Sequence, residues 1–253
     1  MQEPAARPIL TRRHRVRHLH FFDDTFSLDR AYTAELCEAM IRERIPAQSW
    51  CCTRVDCVDQ EILRLMRLAG FAAVSYGIET GCPRLLELLQ KKTTLEQAGE
   101  AVRLTKQAGI FTESYFLINL PTETFAESQQ TVALALQLDL PYFTLLFATP
   151  YPGTRMLEIC QEKNLLPAPS VHSSYDNYWC HSDLVIQNPG NPHPQLRRLQ
   201  KTANLRAFFR PRSLGAMLKY FALGSQIRPR DFYQAAQAAL FLLSKDKQKY
   251  EVG

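Results

Sequence analysis

The sequence predicts an α/β fold, a parallel barrel-like sheet with helices between its strands and a small α-helical region after it. Three observations carry that expectation. Short apolar runs alternate with segments of helical period through about the first 150 residues, the pattern of βα units joined by right-handed crossovers. Each run ends in a polar or charged residue, as in barrels whose strand ends surround one mouth. No glycine-rich phosphate loop of Rossmann or Walker type follows any run, which favours a barrel over an open doubly wound sheet.

The expected strands, in order, are "VRHLHFF" from Val16, "SWCCTRV" from Ser49, "AAVSYGI" from Ala72, "TESYFLINL" from Thr112 and "YFTLLFA" from Tyr142. Each is short and rich in β-branched or aromatic residues. Between the first two, Tyr32, Leu36, Ala39 and Met40 mark one helical face. Val58, Ile62, Leu65, Met66 and Ala69 mark the next, with Asp59 as an N-cap. Ala101, Leu104 and Ala108 mark a third, capped by Thr94. "LAGF" and "QAGI" close two of these helices, with Gly70 and Gly109 suited to a left-handed C′ position. After the turn "TPYPGT", Thr149 to Thr154, a helix is expected to run through about Lys163. The resulting divisions are a basic segment at 1–15, the barrel at 16–165, an irregular connecting segment at 166–195 and a helical region at 196–253.

Composition excludes several classes. With 46% hydrophobic and 22% charged residues, the chain reads as globular rather than disordered. No apolar run reaches the roughly 20 residues that a membrane-spanning helix needs. The N-terminus has arginines but no apolar core, so no secretory signal is expected. Seven cysteines, an odd number, do not suggest a disulfide scaffold, and a reducing cytoplasm is the expected location. The net charge of +5 concentrates near the start and between Arg206 and Arg230. Solvated helix faces account for it, and no nucleic-acid partner is expected.

The strand ends hold the candidate chemistry: Asp23 and Asp24, then Arg54 and Asp56, then Glu79, then Asn119 with Glu123 beyond, then Thr149 and Tyr151. In order and spacing, "HFFDDTF", "WCCTRVD", "GIETG", "FLINLPTET" and "TPYPGT" resemble the radical S-adenosylmethionine (SAM) superfamily. The closest branch is the one associated with cobalamin-binding domains, which includes methyltransferases and the anaerobic magnesium-protoporphyrin monomethyl ester cyclase. The resemblance runs from about Val16 to Leu157 and implies a (β/α)6-type radical SAM barrel, here partial and lacking its first βα unit.

The resemblance implies SAM as cofactor, a small-molecule substrate and, in a full-length parent, an upstream cobalamin-binding domain. It implies a function in which SAM reduced at a 4Fe–4S cluster yields methionine and a 5′-deoxyadenosyl radical, or in which a methyl group passes by way of cobalamin. Asp23 or Asp24 would receive the SAM ammonium, and Arg54 would hold its carboxylate through a planar fork. Glu79 would accept from the ribose hydroxyls or the ammonium. The segment with Asn119 and Glu123 would lie along the adenosine. Structural alternatives stand beside these: Asp23 or Asp24 as a helix cap, and Arg54–Asp56 as a local ion pair.

Two departures from the family are evident. Asn119 and Thr122 replace the glycines of its "GlPgET" segment, which works against close backbone approach. The family's CxxxCxxC spacing, which binds three irons of a 4Fe–4S cluster, occurs nowhere in the chain. The chain is therefore expected to start after the first strand and its cluster loop. Cys51, Cys52 and Cys57 are not expected to substitute, because adjacent residues on a strand face opposite ways. Cys160, His172, Cys180 and His181 fit no zinc spacing. Tyr175, Tyr178 and Trp179 are read as packing their segment rather than lining a pocket. Two rival functions remain: a truncated or degenerate barrel acting as a binding module, and a nonradical enzyme using Asp23, Arg54 and Glu79 for acid–base work.

Overall fold

The computed structural model describes residues 14, 16–138, 140–166, 184–210 and 215. Within them five strands form one parallel sheet: β1 (His18–Phe21), β2 (Gln48–Thr53), β3 (Phe71–Glu79), β4 (Phe111–Ile118) and β5 (Tyr142–Phe147). All five expected strands are present, and their spatial order equals their chain order. A doubly wound sheet would reverse direction after its first crossovers. The sequential order keeps the crossovers on one face, as in a partial barrel.

The helices are α1 (Arg30–Arg42), α2 (Gln60–Leu68), α3 (Pro83–Leu88), α4 (Leu95–Gln107), α5 (Phe125–Gln137), α6 (Arg155–Glu162) and α7 (His193–Phe209). Asp59 caps α2 by accepting from the Ile62 N–H at 2.8 Å, and Thr94 caps α4 in a reciprocal box with Gln97. Gly70 and Gly109 take φ of 95° and 73° at the expected helix exits. A side chain at Gly70 would also meet the Ala47 carbonyl at 2.7 Å.

The α1 face holds Leu36 and Met40 toward the core as expected, but is centred one residue further on at its start. Its buried residues are Thr33, Cys37 and Met40, while Tyr32 is half exposed. Thr33 can be hidden because its hydroxyl donates to the Asp29 carbonyl at 2.7 Å.

Alternate residues of the strands face the helices and build the core, among them Cys51, Val74, Tyr76, Phe116, Ile118, Phe143 and Leu145. A second cluster, with Leu85, Leu120, Cys160 and Ile186, fills the space beyond the strand ends. The chain after 184 belongs to this body. In α7, Asn204 Oδ1 accepts from the Leu145 N–H at 2.8 Å, and Gln200 Nε2 donates to the Leu145 carbonyl at 3.0 Å. Two side chains thereby occupy the β5 edge where a further strand would pair. No helix among the described residues is long and apolar enough to cross a membrane.

Candidate cofactor site at the strand ends

Arg54 follows β2 directly and opens a short 3-10 turn, Val55–Cys57. Its Nε and Nη2 grip the two Asp56 oxygens at 2.9 and 2.8 Å. The hydrogen bond to Arg54 holds the Asp56 carboxyl below its ordinary range. Nη2 also donates to the Lys91 carbonyl at 3.1 Å.

Glu79 ends β3 and takes a left-handed φ of 71°. The ladder to β4 slips just before it, pairing Glu79 with Phe116. Such bulges re-aim side chains at sheet rims. Lys91 Nζ donates to Glu79 Oε1 at 2.7 Å, and both side chains are four-fifths enclosed. Gly77 makes room for the pair, since a Cβ there would stand 2.6 Å from Glu79 Oε1 and 3.3 Å from Lys91 Nζ. Lys91 therefore joins the two predicted residues, touching Glu79 by its ammonium and Arg54 by its carbonyl. Lys91 was not singled out in the sequence, where "LQKKTT" is only a polar connection with two equivalent lysines.

The loop after β4 is the most constrained part of the rim. Asn119 has φ 64° and Thr122 φ 65°, a conformation that costs roughly 1–2 kcal/mol for a side-chain-bearing residue. A β-branched residue such as Thr122 seldom adopts it. The replacement of family glycines has thus not changed the backbone to an ordinary conformation. Neighbouring bonds hold it in place. Asn119 is buried, its Nδ2 donating to the Ile186 carbonyl at 2.8 Å and its Oδ1 accepting from Asn188 at 3.0 Å. Asn188 also donates to the Leu120 carbonyl and accepts from the Thr122 N–H. The Asn119 side chain is a brace, leaving backbone as the part of this residue a ligand can meet.

Glu123, 1% exposed, accepts from the Leu120 N–H through Oε2 at 2.7 Å. Its Oε1 is enclosed with no hydrogen-bond partner among the described residues. Burial pushes its carboxyl up to about 8. Next to it, Glu127 binds Arg84 through both oxygens, and that bond lowers its carboxyl to about 2.

Asp23 and Asp24 lie exposed in the turn after β1. Neither caps α1, because Asp29 accepts from the Tyr32 N–H at 3.0 Å in that role. The structure thus joins Arg54 with Glu79, and Asn119 with Glu123, while no hydrogen bond links the two aspartates to either pair. Cys51 is enclosed in the core, where burial raises its thiol, and Cys52 faces the other way and is half-buried. Among the described residues no three His, Cys, Asp or Glu side chains could hold a metal ion. They do not fit the ligand set of a 4Fe–4S cluster. Tyr175, Tyr178, Trp179, Cys180, His181 and His172 lie outside the described residues.

Residues 6–135 match the sequence pattern of the Radical SAM superfamily. The chain belongs to that superfamily. It is 29% identical over 199 residues to an uncharacterized methyltransferase of Pyrococcus horikoshii, covering 79% of this chain and 42% of that protein. The anaerobic magnesium-protoporphyrin IX monomethyl ester cyclase of Cereibacter sphaeroides is 33% identical over 155 residues, 59% of this chain and 25% of the cyclase. Among solved structures, the radical SAM methyltransferase TsrM from Kitasatospora setae, with cobalamin and a 4Fe–4S cluster bound, superposes with a TM-score of 0.60. That match covers 91% of this chain and 48% of TsrM at 23% identity, a likeness of fold. The chain spans less than half the length of these relatives.

Proposed function

We propose that this chain is the SAM-binding half of a radical SAM barrel. In this reading Arg54 and Glu79 meet the amino-acid end of SAM, and the loop from Asn119 to Glu123 lies along the adenosine. The observation that supports it best is the backbone at the rim. Glu79, Asn119 and Thr122 all hold left-handed φ within one stretch of strand ends, beside two charge pairs. Strain of this kind persists where surrounding contacts over-determine it, and it clusters at ligand clamps.

With Nε and Nη2 of Arg54 held by Asp56 and the Lys91 carbonyl, its Nη1 is the group it offers to a carboxylate. Glu79 offers a carboxylate to an ammonium or ribose hydroxyl, with Lys91 fixing one of its oxygens. Asp23 and Asp24 add exposed negative charge at the neighbouring strand end. When bound, SAM would supply a methyl group to a small-molecule substrate or, on one-electron reduction to methionine and a 5′-deoxyadenosyl radical, a radical that takes a hydrogen atom from that substrate. A cobalamin-binding domain upstream in a longer parent belongs to the same reading.

Equilibrium dialysis with labelled SAM tests the proposal. The wild-type chain should bind, and Glu79→Gln or Arg54→Ala should weaken binding tenfold or more, about 1.4 kcal/mol. Equal binding by all three proteins overturns these roles. A second reading, a binding module without redox chemistry, draws on the internal pairing of Arg54 with Asp56 and of Glu79 with Lys91. Anaerobic reconstitution with iron and sulfide tests the second reading: reductive cleavage of SAM by this chain overturns it, whereas SAM binding without cleavage is what a module and a half-barrel lacking the cluster ligands both give.

A further inference from the structure

The sheet face turned away from the helices carries a polar row that the SAM site does not use. Trp50 Nε1 reaches diagonally past its own register partner, Ala73, to donate to Ser75 Oγ at 2.8 Å, and Ser75 Oγ donates to Glu113 Oε2 at 3.1 Å. An indole N–H can only donate, so the Ser75 proton is directed to Glu113. His20 stacks on Trp50 with ring centroids 4.3 Å apart and planes 3° from parallel. The Cα register places His20 beside Trp50, and Glu113 beside Ser75 on one side and Tyr142 on the other. The row thus crosses all five strands.

Barrel layers at this depth are ordinarily filled by branched apolar side chains. A carboxyl there is costly unless charge or hydrogen bonds compensate it. Burial raises the Glu113 carboxyl above its ordinary range, against hydrogen bonds from Ser75 and Tyr115 that lower it. Among the described residues no Lys, Arg or His forms an ion pair with it. Glu79 pairs with Phe116, three residues further along β4. At about 3.3 Å per residue, Glu113 therefore lies roughly 10 Å below the rim. A ligand held under the cofactor would reach it.

We propose that Glu113, with the His20–Trp50 stack beside it, is a substrate subsite that takes a basic nitrogen carried on or next to a flat ring. The ring lies against the aromatic platform, and the nitrogen supplies the cation that Glu113 lacks. Ser75 is the positioning residue that holds the carboxylate. The inference rests on the reading of the rim as the SAM site, which places a substrate in this interior.

Intrinsic fluorescence of Trp50, in a Trp179→Phe background, tests it with two probes of matched shape, phenethylamine and 3-phenylpropanoate. The amine should bind at least tenfold tighter than the acid, and Glu113→Gln should erase the preference while leaving labelled-SAM binding unchanged. Glu113→Gln should also match or exceed wild type in melting temperature, since it removes a buried charge. A purely structural Glu113 would instead lose stability. No saturable amine binding at millimolar concentration, equal binding of both probes, or a preference that survives Glu113→Gln overturns the subsite. Loss of SAM binding by wild type together with an intact amine preference would sink the rim reading and leave the subsite standing.

Discussion

Glu123 shows how one side chain can tie loop geometry to pH. Its enclosed carboxyl is raised to about 8 in the folded chain, against 4.5 in an exposed one. Between those values the folded state keeps the proton and the unfolded state releases it, so stability falls as pH rises through the window and levels off above it. The slope is at most about 1.4 kcal/mol per pH unit. Glu123→Gln keeps the shape and removes the titration. It should raise the melting temperature at pH 8 and flatten its decline between pH 5 and 8. The raised Glu113 carboxyl contributes in the same direction and leaves a residual slope. Thermal melts across that range check this, and an unchanged slope in the variant would show that Glu123 is ionised in its pocket. At this scale the sequence was only partly legible. Arg54 and Glu79 stood out because charges end strands there. Lys91, Asn188 and Glu113 did not, since each acquires its partners across gaps in the chain. Asn188 is 69 positions from Asn119, and no local period registers such a bond.

At the scale of elements, strands and caps were readable because each depends on neighbours in the chain. Alternation set the strands, and Asp59, Thr94, Gly70 and Gly109 set helix ends by short-range hydrogen bonds. Only the first turn of the α1 face escapes the period, because a threonine that bonds its own helix behaves as a buried residue while reading as polar. The role of α7 was also hidden, because an amide ladder onto a strand edge has no sequence period. That ladder is open to test. Asn204 both accepts from and donates to Leu145, at 2.8 and 3.1 Å. Asn204→Ala strips the β5 edge of two hydrogen bonds and should destabilise by about 1–3 kcal/mol. Chemical denaturation measures that loss. Light scattering should also rise, since a bared edge templates strand addition. Stability within a few tenths of a kcal/mol of wild type would mean that the Asn204 bonds do not hold α7 to the edge.

For the molecule as a whole, the partial barrel is completed from outside the βα repeat. The segment after 184 touches four parts of it. Gln187 N–H donates to the Leu165 carbonyl at 2.8 Å, and Phe125 N–H at the start of α5 donates to the Gly190 carbonyl at 3.1 Å. Ile186 and Asn188 brace the rim loop, and α7 covers the β5 edge. Long-range closure of this kind couples the strand-end rim to the sheet edge, so loosening one loosens the other. A chain ending at residue 166 should therefore lose both. It should bind the dye ANS, aggregate faster on warming, and bind SAM at least tenfold more weakly than the full chain. The left-handed conformation at Asn119 and Thr122 explains the second effect, because without Asn188 the loop relaxes toward ordinary φ and the backbone withdraws from the proposed adenosine position. A shortened chain that stays monomeric and binds SAM as tightly as the full one would show that the βα repeat holds its own rim, and that the downstream segment only decorates it.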